Sequence, residues 1–166
     1  MLTVPLIGGG TGLDLTRFLQ AHPHVPVASL VLQDTPDVVA QAQVDAKIKL
    51  EPHNFFEPQP IIGARAYFFH AVFHDWSDPE ATKILAHIKT AMKPGYSKLL
   101  ITEIVLPPTG ASEFQTVMDV FMMTLLSASE RTEKAFKNLL EGVGFRVVKF
   151  WKDPKGIETV IEAELA

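Results

Sequence analysis

Thr3-Val4-Pro5-Leu6-Ile7-Gly8-Gly9-Gly10-Thr11-Gly12-Leu13 decides the fold of this chain. Residues 3–7 read as a strand, the glycine run as a tight turn, and residues 13–21 as a helix ended by His22-Pro23. Glycines at such a turn permit positive φ and let a ligand come close to the backbone. The free N–H groups that open the helix suit polar or anionic ligand atoms. Gly8, Gly9, Gly10 and Gly12 are therefore expected to cradle a nucleotide-like cofactor. Asp34 follows the next apolar run, 27–32, about 20 residues beyond the loop, where a carboxylate can accept from ribose hydroxyls. It can equally cap a short helix expected at 36–42.

Working outward, strand signals alternate with helical ones. Further strands are expected at 48–50, 64–69, 96–105, 145–151 and 156–165, the last two joined by a turn at Asp153-Pro154-Lys155-Gly156. Asp78-Pro79-Glu80 opens the clearest helix, with Asp78 as its N-cap and Ile84, Leu85, Ile88 and Met92 on one face. A strongly apolar helix is expected at 114–126, its Met and Phe residues packing in the core, and an amphipathic one at 132–143. The pattern predicts one α/β domain over 1–166, a mostly parallel seven-stranded sheet with helices on both faces and a terminal antiparallel hairpin strand.

Composition narrows the function. A chain of 166 residues, 47% hydrophobic, can bury one sizeable core but not two. Its net charge of -4 gives no electrostatic reason to bind nucleic acid. With no Cys, thiolate metal sites are excluded; the histidines show no paired ligand spacing, so no metal is expected. No apolar run reaches the roughly 18 residues of a membrane span, and no signal peptide is visible. A cytoplasmic location is the expectation.

His74-Asp75-Trp76-Ser77-Asp78 carries the chemistry. Histidine exchanges a proton near neutral pH, and a carboxylate can fix its tautomer. If the fold brings Glu103 and Glu130 to it, His74 is a general base with two acidic neighbours. Glu130 could instead belong to a cap before the helix at 132.

These residues and their neighbours resemble the catalytic domain of the plant- and fungal-type O-methyltransferases, notably those of fungal aromatic polyketide pathways. The matching segments are GGGTG at 8–12, VLQDTPDVV at 31–39, HNFFEPQP at 53–60, AYFFHAVFHDWSD at 66–78, MKPGYSKLLITEIVLP at 92–107, MDVFMM at 118–123 and SERTEKAFKNLLEGVGFRVVK at 129–149. The resemblance implies a Rossmann-like class I methyltransferase fold and S-adenosylmethionine as cofactor. It implies that His74 deprotonates a hydroxyl of an aromatic or polyketide substrate, flanked by Glu103 and Glu130. It places Asn54, Phe55 and His70 with Asp34 at the cofactor, and Asp75, Trp76, Phe121, Met122 and Met123 at the substrate pocket.

The sequence departs from the family where the cofactor would bind. Leu6 stands where the family carries an acidic residue, Asn54 where it carries an Asp, and His70 where a longer basic residue is common. Together these are expected to weaken or abolish cofactor binding. In the family a helical N-terminal domain makes the dimer and closes the pocket, and with the first strand at 3–7 that domain is expected to be missing. The exposed pocket face is then expected to be covered by a second copy or a partner chain. Two other functions stay open: a cofactor-free cyclase, dehydratase or isomerase using His74 as acid or base, and a non-catalytic partner subunit.

Overall fold

The computed structural model describes residues 2–152, 154 and 157–166. Its strands are β1 (Val4–Ile7), β2 (Leu30–Asp34), β3 (Lys49–Pro52), β4 (Ala66–His70), β5 (Lys98–Leu106), β6 (Arg131–Thr132), β7 (Phe145–Lys152) and β8 (Glu158–Leu165). The helices are α1 (Leu13–Ala21), α2 (Pro36–Val39), α3 (Asp78–Ala91), α4 (Glu113–Leu126) and α5 (Glu133–Val143). Seven strands pair in the order β3-β2-β1-β4-β5-β8-β7, and the short β6 pairs with the end of β5. The first five are parallel, and β8 runs antiparallel to both β5 and β7. This is the expected mostly parallel sheet closed by an antiparallel hairpin. Of its expected turn, Asp153, Lys155 and Gly156 lie outside the described residues.

The chain builds outward from β1 in both directions, first to β2 and β3, then to β4 and β5. Such a reversal opens a crevice beyond the carboxyl ends of β1 and β4. The glycine loop leaves β1 there, and the His74 segment leaves β4 beside it. Leu6 and Ile7 point to opposite faces, as strand geometry requires, and both are buried. Ile7 joins Tyr67, Phe69, Phe73, Leu85 and Phe136 in the larger core. Leu6 joins Leu15, Leu30, Leu32 and Ile48 in the smaller one.

Three expectations are corrected. Residues 27–29 form a 3-10 turn, with the Ser29 hydroxyl donating to Pro26 O at 2.6 Å, so β2 begins at Leu30. Ser77, with extended φ/ψ of -66 and 163°, stands at the N-cap of α3, and Asp78 is its first helical residue. In α4 Met122 is the buried residue, while Phe114, Val117, Val120, Phe121, Met123, Leu125 and Leu126 are exposed. Its apolar residues surround the axis rather than forming one stripe, so a single packed face cannot cover them. Ser112 and Gln115 close its start as a reciprocal capping box.

Gly12 shows why the loop needs glycine. Its φ is 89°, and a Cβ there would stand 2.2 Å from Val44 Cγ1. Gly12→Ala is expected to lower stability by about 2–4 kcal/mol, the left-handed penalty plus overpacking. Urea denaturation of the wild type and variant measures this.

Candidate active site

Three strand ends build the site. After β4 the chain turns through Ala71, a non-glycine residue at φ 51°, into a 3-10 turn at Phe73–Asp75. From β5, Glu103 reaches under that turn, and its Oε1 accepts from the amides of Val72 at 3.0 Å and Phe73 at 2.7 Å. Glu103 is 1% exposed, so the negative charge is met by backbone donors rather than water. Glu130 precedes β6 and is also buried. Its amide donates to Asp119 Oδ1 of α4 at 2.9 Å.

The geometry brings His74, Glu103 and Glu130 together. His74 Nδ1 lies 3.0 Å from Glu130 Oε1 and 3.7 Å from Glu103 Oε2. A hydrogen bond at 3.0 Å makes Nδ1 the donor to Glu130, which leaves Nε2 as the acceptor in the neutral ring. Asp75 Oδ1 stands 3.4 Å from Nε2. Glu130 therefore serves the histidine and not a helix cap; Thr132 caps α5, accepting from Ala135 N.

Arg131, which the sequence reading left without a role, clamps the same turn. Its guanidinium donates to Phe73 O at 2.5 Å, Trp76 O at 2.7 Å and Asp78 Oδ1 at 2.9 Å from Nε. Only its place beside Glu130 in Glu130-Arg131-Thr132 could have signalled this.

Charge in the cluster is strongly coupled. Burial draws the His74 pKa down, but the Glu130 hydrogen bond and the charges of Glu103, Glu130 and Asp75 outweigh it and lift it to about 9. Burial pushes the Glu103 carboxyl up to about 7 against the attraction of His74 and its two amide donors. Burial also raises Asp75.

The glycine loop and Asp34 meet at the ends of β1 and β2. Gly8 and Gly9 donate to Gln33 O at 2.9 and 3.2 Å, and Gly10 N donates to Asp34 Oδ2 at 2.8 Å. Asp34 Oδ1 accepts from Thr35 N at 2.7 Å, leaving lone pairs on both oxygens. Gly10, at φ 57°, has no atom within 4 Å of where a Cβ would stand. Beside Asp34 a cavity of about 230 Å³ is lined by His53, Asn54, Phe55, Phe56 and Trp76. Trp76 meets Phe55 and Phe56 edge-on, with centroids 5.9 and 4.7 Å away. Trp76 thus lines the cavity beside Asp34. His53, unforeseen in the sequence, has a buried Nε2 without a partner among the described residues.

The structure does not bring His70 to this cavity. Its ring nitrogens face Asp14 Oδ2 at 2.7 Å and Glu158 Oε1 at 3.0 Å, tying α1 to β8. Burial opposes its charge, but these two partners raise its pKa overall. Phe121 and Met123 are exposed on α4, whereas Met122 is buried. A larger cavity, about 860 Å³, lies elsewhere, between Val105, Pro107, Lys134, Phe150 and Ile157, and has none of the His74 cluster in its walls.

The O-methyltransferase domain family matches residues 3–146, and the chain belongs to that family. O-methyltransferase ATR12 of Stachybotrys chlorohalonatus is 55% identical over 159 residues, which are 96% of this chain and 41% of that protein. Among solved structures, the LepI complex with SAM superposes at a TM-score of 0.90 with 31% identity, over 99% of this chain and 43% of that one. A structure described as a pericyclic reaction enzyme superposes at 0.91 with 30% identity, over 99% and 43%. The chain therefore spans about two fifths of the length of the proteins it matches. No helix among the described residues is long and apolar enough to cross a membrane.

The Arg131 clamp is testable by itself. Arg131→Leu keeps bulk but strands the carbonyls of Phe73 and Trp76. A loss of about 2–4 kcal/mol is expected in urea denaturation.

Proposed function

We propose that this chain is the catalytic domain of an S-adenosylmethionine-dependent O-methyltransferase of fungal-type secondary metabolism, with His74 as its general base. The observation that carries this reading is the 3.0 Å contact from His74 Nδ1 to Glu130, which orients Nε2 as the proton acceptor. Its substrate would be an aromatic or polyketide hydroxyl compound. Loss of the proton converts a hydroxyl into a far better nucleophile.

The residues fit the cofactor. Gly10 leaves open space against the loop, Asp34 keeps lone pairs for ribose hydroxyls, and the cavity beside it has aromatic walls for a purine. Asn54 Oδ1 accepts from Phe56 N at 3.0 Å and can accept once more. His53 Nε2 supplies a further polar atom. The cofactor supplies an electrophilic methyl group on a sulfonium when bound. The chain's own part is to hold the acceptor hydroxyl against Nε2, remove its proton and stabilise the imidazolium with Glu130 and Glu103. Leu6, Asn54 and His70 lower affinity in this reading: Leu6 is fully buried, Asn54 lacks charge, and both His70 nitrogens are engaged.

The exposed apolar face of α4 belongs in this proposal as the surface that a second copy or a partner chain covers, since contiguous apolar surface of this kind marks contacts. A second reading, catalysis without methylation, draws on the likeness to the pericyclic reaction enzyme and on the three altered cofactor positions. In it His74 acts as acid or base on a pathway intermediate.

His74→Ala is expected to lower methyl transfer to phenolic acceptors by at least about 100-fold. Calorimetry should show S-adenosylhomocysteine binding unchanged in the same variant. Only the neutral ring takes a proton, so the wild-type rate should climb with pH and level off above about 9. No cofactor binding by the folded chain, with product formed in its absence, would establish the second reading instead.

A further inference from the structure

Proton transfer through Nε2 leaves two carboxylate oxygens unused. Glu103 Oε2 and Glu130 Oε2 are buried, and neither has a hydrogen-bond partner among the described residues. The side chains of both residues are almost fully enclosed, at 1% and 0% exposure. One ligand atom from each of His74, Glu103 and Glu130 lies within 4.8 Å of the others. A buried carboxylate oxygen without a partner is costly, and two around one ring compound that cost. With both carboxylates ionised, an imidazolium leaves the cluster at a net charge of about -1, whereas a divalent cation beside a neutral imidazole leaves none.

We propose that His74, Glu103 and Glu130 form a site for a divalent transition-metal ion of the zinc type, and that an ion held there blocks the base. The blocking half rests on the function proposed above. An imidazole with two carboxylates suits borderline ions, whereas magnesium and calcium prefer all-oxygen sites. Zinc–ligand lengths of about 2.0–2.2 Å put neighbouring ligand atoms about 3.3 Å apart in a tetrahedron. The observed separations, 3.0 Å from Nδ1 to Glu130 Oε1 and 3.7 Å to Glu103 Oε2, bracket that spacing. Glu103 is pre-oriented because its other oxygen is held by two backbone amides. An ion on Nδ1 takes the place of the ring's proton there, and the neutral ring then carries its hydrogen on Nε2. The atom that should accept the substrate proton can then only donate. Ligand spacing along the sequence could not show this site, because its three residues come from separate segments.

The test is calorimetric titration of the metal-free chain with zinc chloride, without methyl donor or acceptor. One ion per chain is expected, with affinity falling at least about 10-fold in Glu103→Gln and in Glu130→Gln. Glutamine keeps an amide oxygen for the Val72 and Phe73 donors, and circular dichroism verifies that each variant is folded. His22→Ala is expected to bind zinc as the wild type does; it controls for the exposed His22 and His24 rings, 5.9 Å apart. Absence of binding, or binding lost in His22→Ala and intact in both glutamine variants, would overturn the site. Methyl transfer should fall at saturating zinc and return with a chelator; unchanged turnover would overturn the block. Zinc binding by an inactive protein would sink the function and spare the site, and active protein that ignores zinc would do the reverse.

Discussion

The carboxylate of Glu103, buried at the end of the central sheet, holds the turn on which the active-site geometry depends. That turn passes through Ala71 at φ 51°, a conformation costing an ordinary residue about 1–2 kcal/mol. Two amide donors on one charged oxygen contribute about 1.5–3 kcal/mol each, enough to offset it. Remove the carboxylate and the Val72 and Phe73 amides lose their acceptor, leaving the Arg131 clamp alone to hold the turn. Remove the turn and the charge has no donors. His74 sits one residue beyond these amides, so its position follows from this mutual dependence.

Topology makes the convergence possible. Glu103 and the segment after β4 meet because β4 and β5 are adjacent and parallel, so their carboxyl ends open on the same side. Glu130 arrives because β6 pairs with the end of β5 at Val105 and Leu106. Arg131, the first residue of β6, clamps Phe73 and Trp76. One dipeptide thus orients the histidine and locks the turn that carries it. The cavity beside Asp34 is separate, lined from the end of β2 and by the aromatic residues 55, 56 and 76.

The strand-loop-helix at 3–21 was legible in the sequence because glycines and apolar runs act locally. The alternation of strands and helices was legible for the same reason, with bounds shifted by a few residues at β2 and β5. His74, Glu103 and Glu130 could be named from their chemistry and their family pattern, but their contact needed the sheet order. Asp78 was misread as a cap because the sequence does not show that Ser77 is extended and that Arg131 takes the carboxylate. The apolar helix at 114–126 was misread as core, since composition counts apolar residues and not what covers them. The sequence could not show that Asp14 and Glu158, from distant segments, meet the two nitrogens of His70. The expectation of no metal rested on the lack of Cys, on histidine spacing and on the family resemblance; spacing along the chain does not register carboxylates gathered from distant segments.

Glu130 fixes His74 with its hydrogen on Nδ1 and, with Glu103 and Asp75, holds the ring charged well above the ordinary histidine range. Nitrogen-detected NMR of the imidazole across a pH titration measures both at once. The account expects a single histidine that stays protonated until about pH 9 and then loses its proton from Nε2, a signal that vanishes in His74→Ala. Because the folded pKa is raised, stability supplied by this charge is complete below about 6.5 and is lost as pH rises through about 9. A His74 signal titrating near 6.5 with its neutral hydrogen on Nε2 would contradict the account.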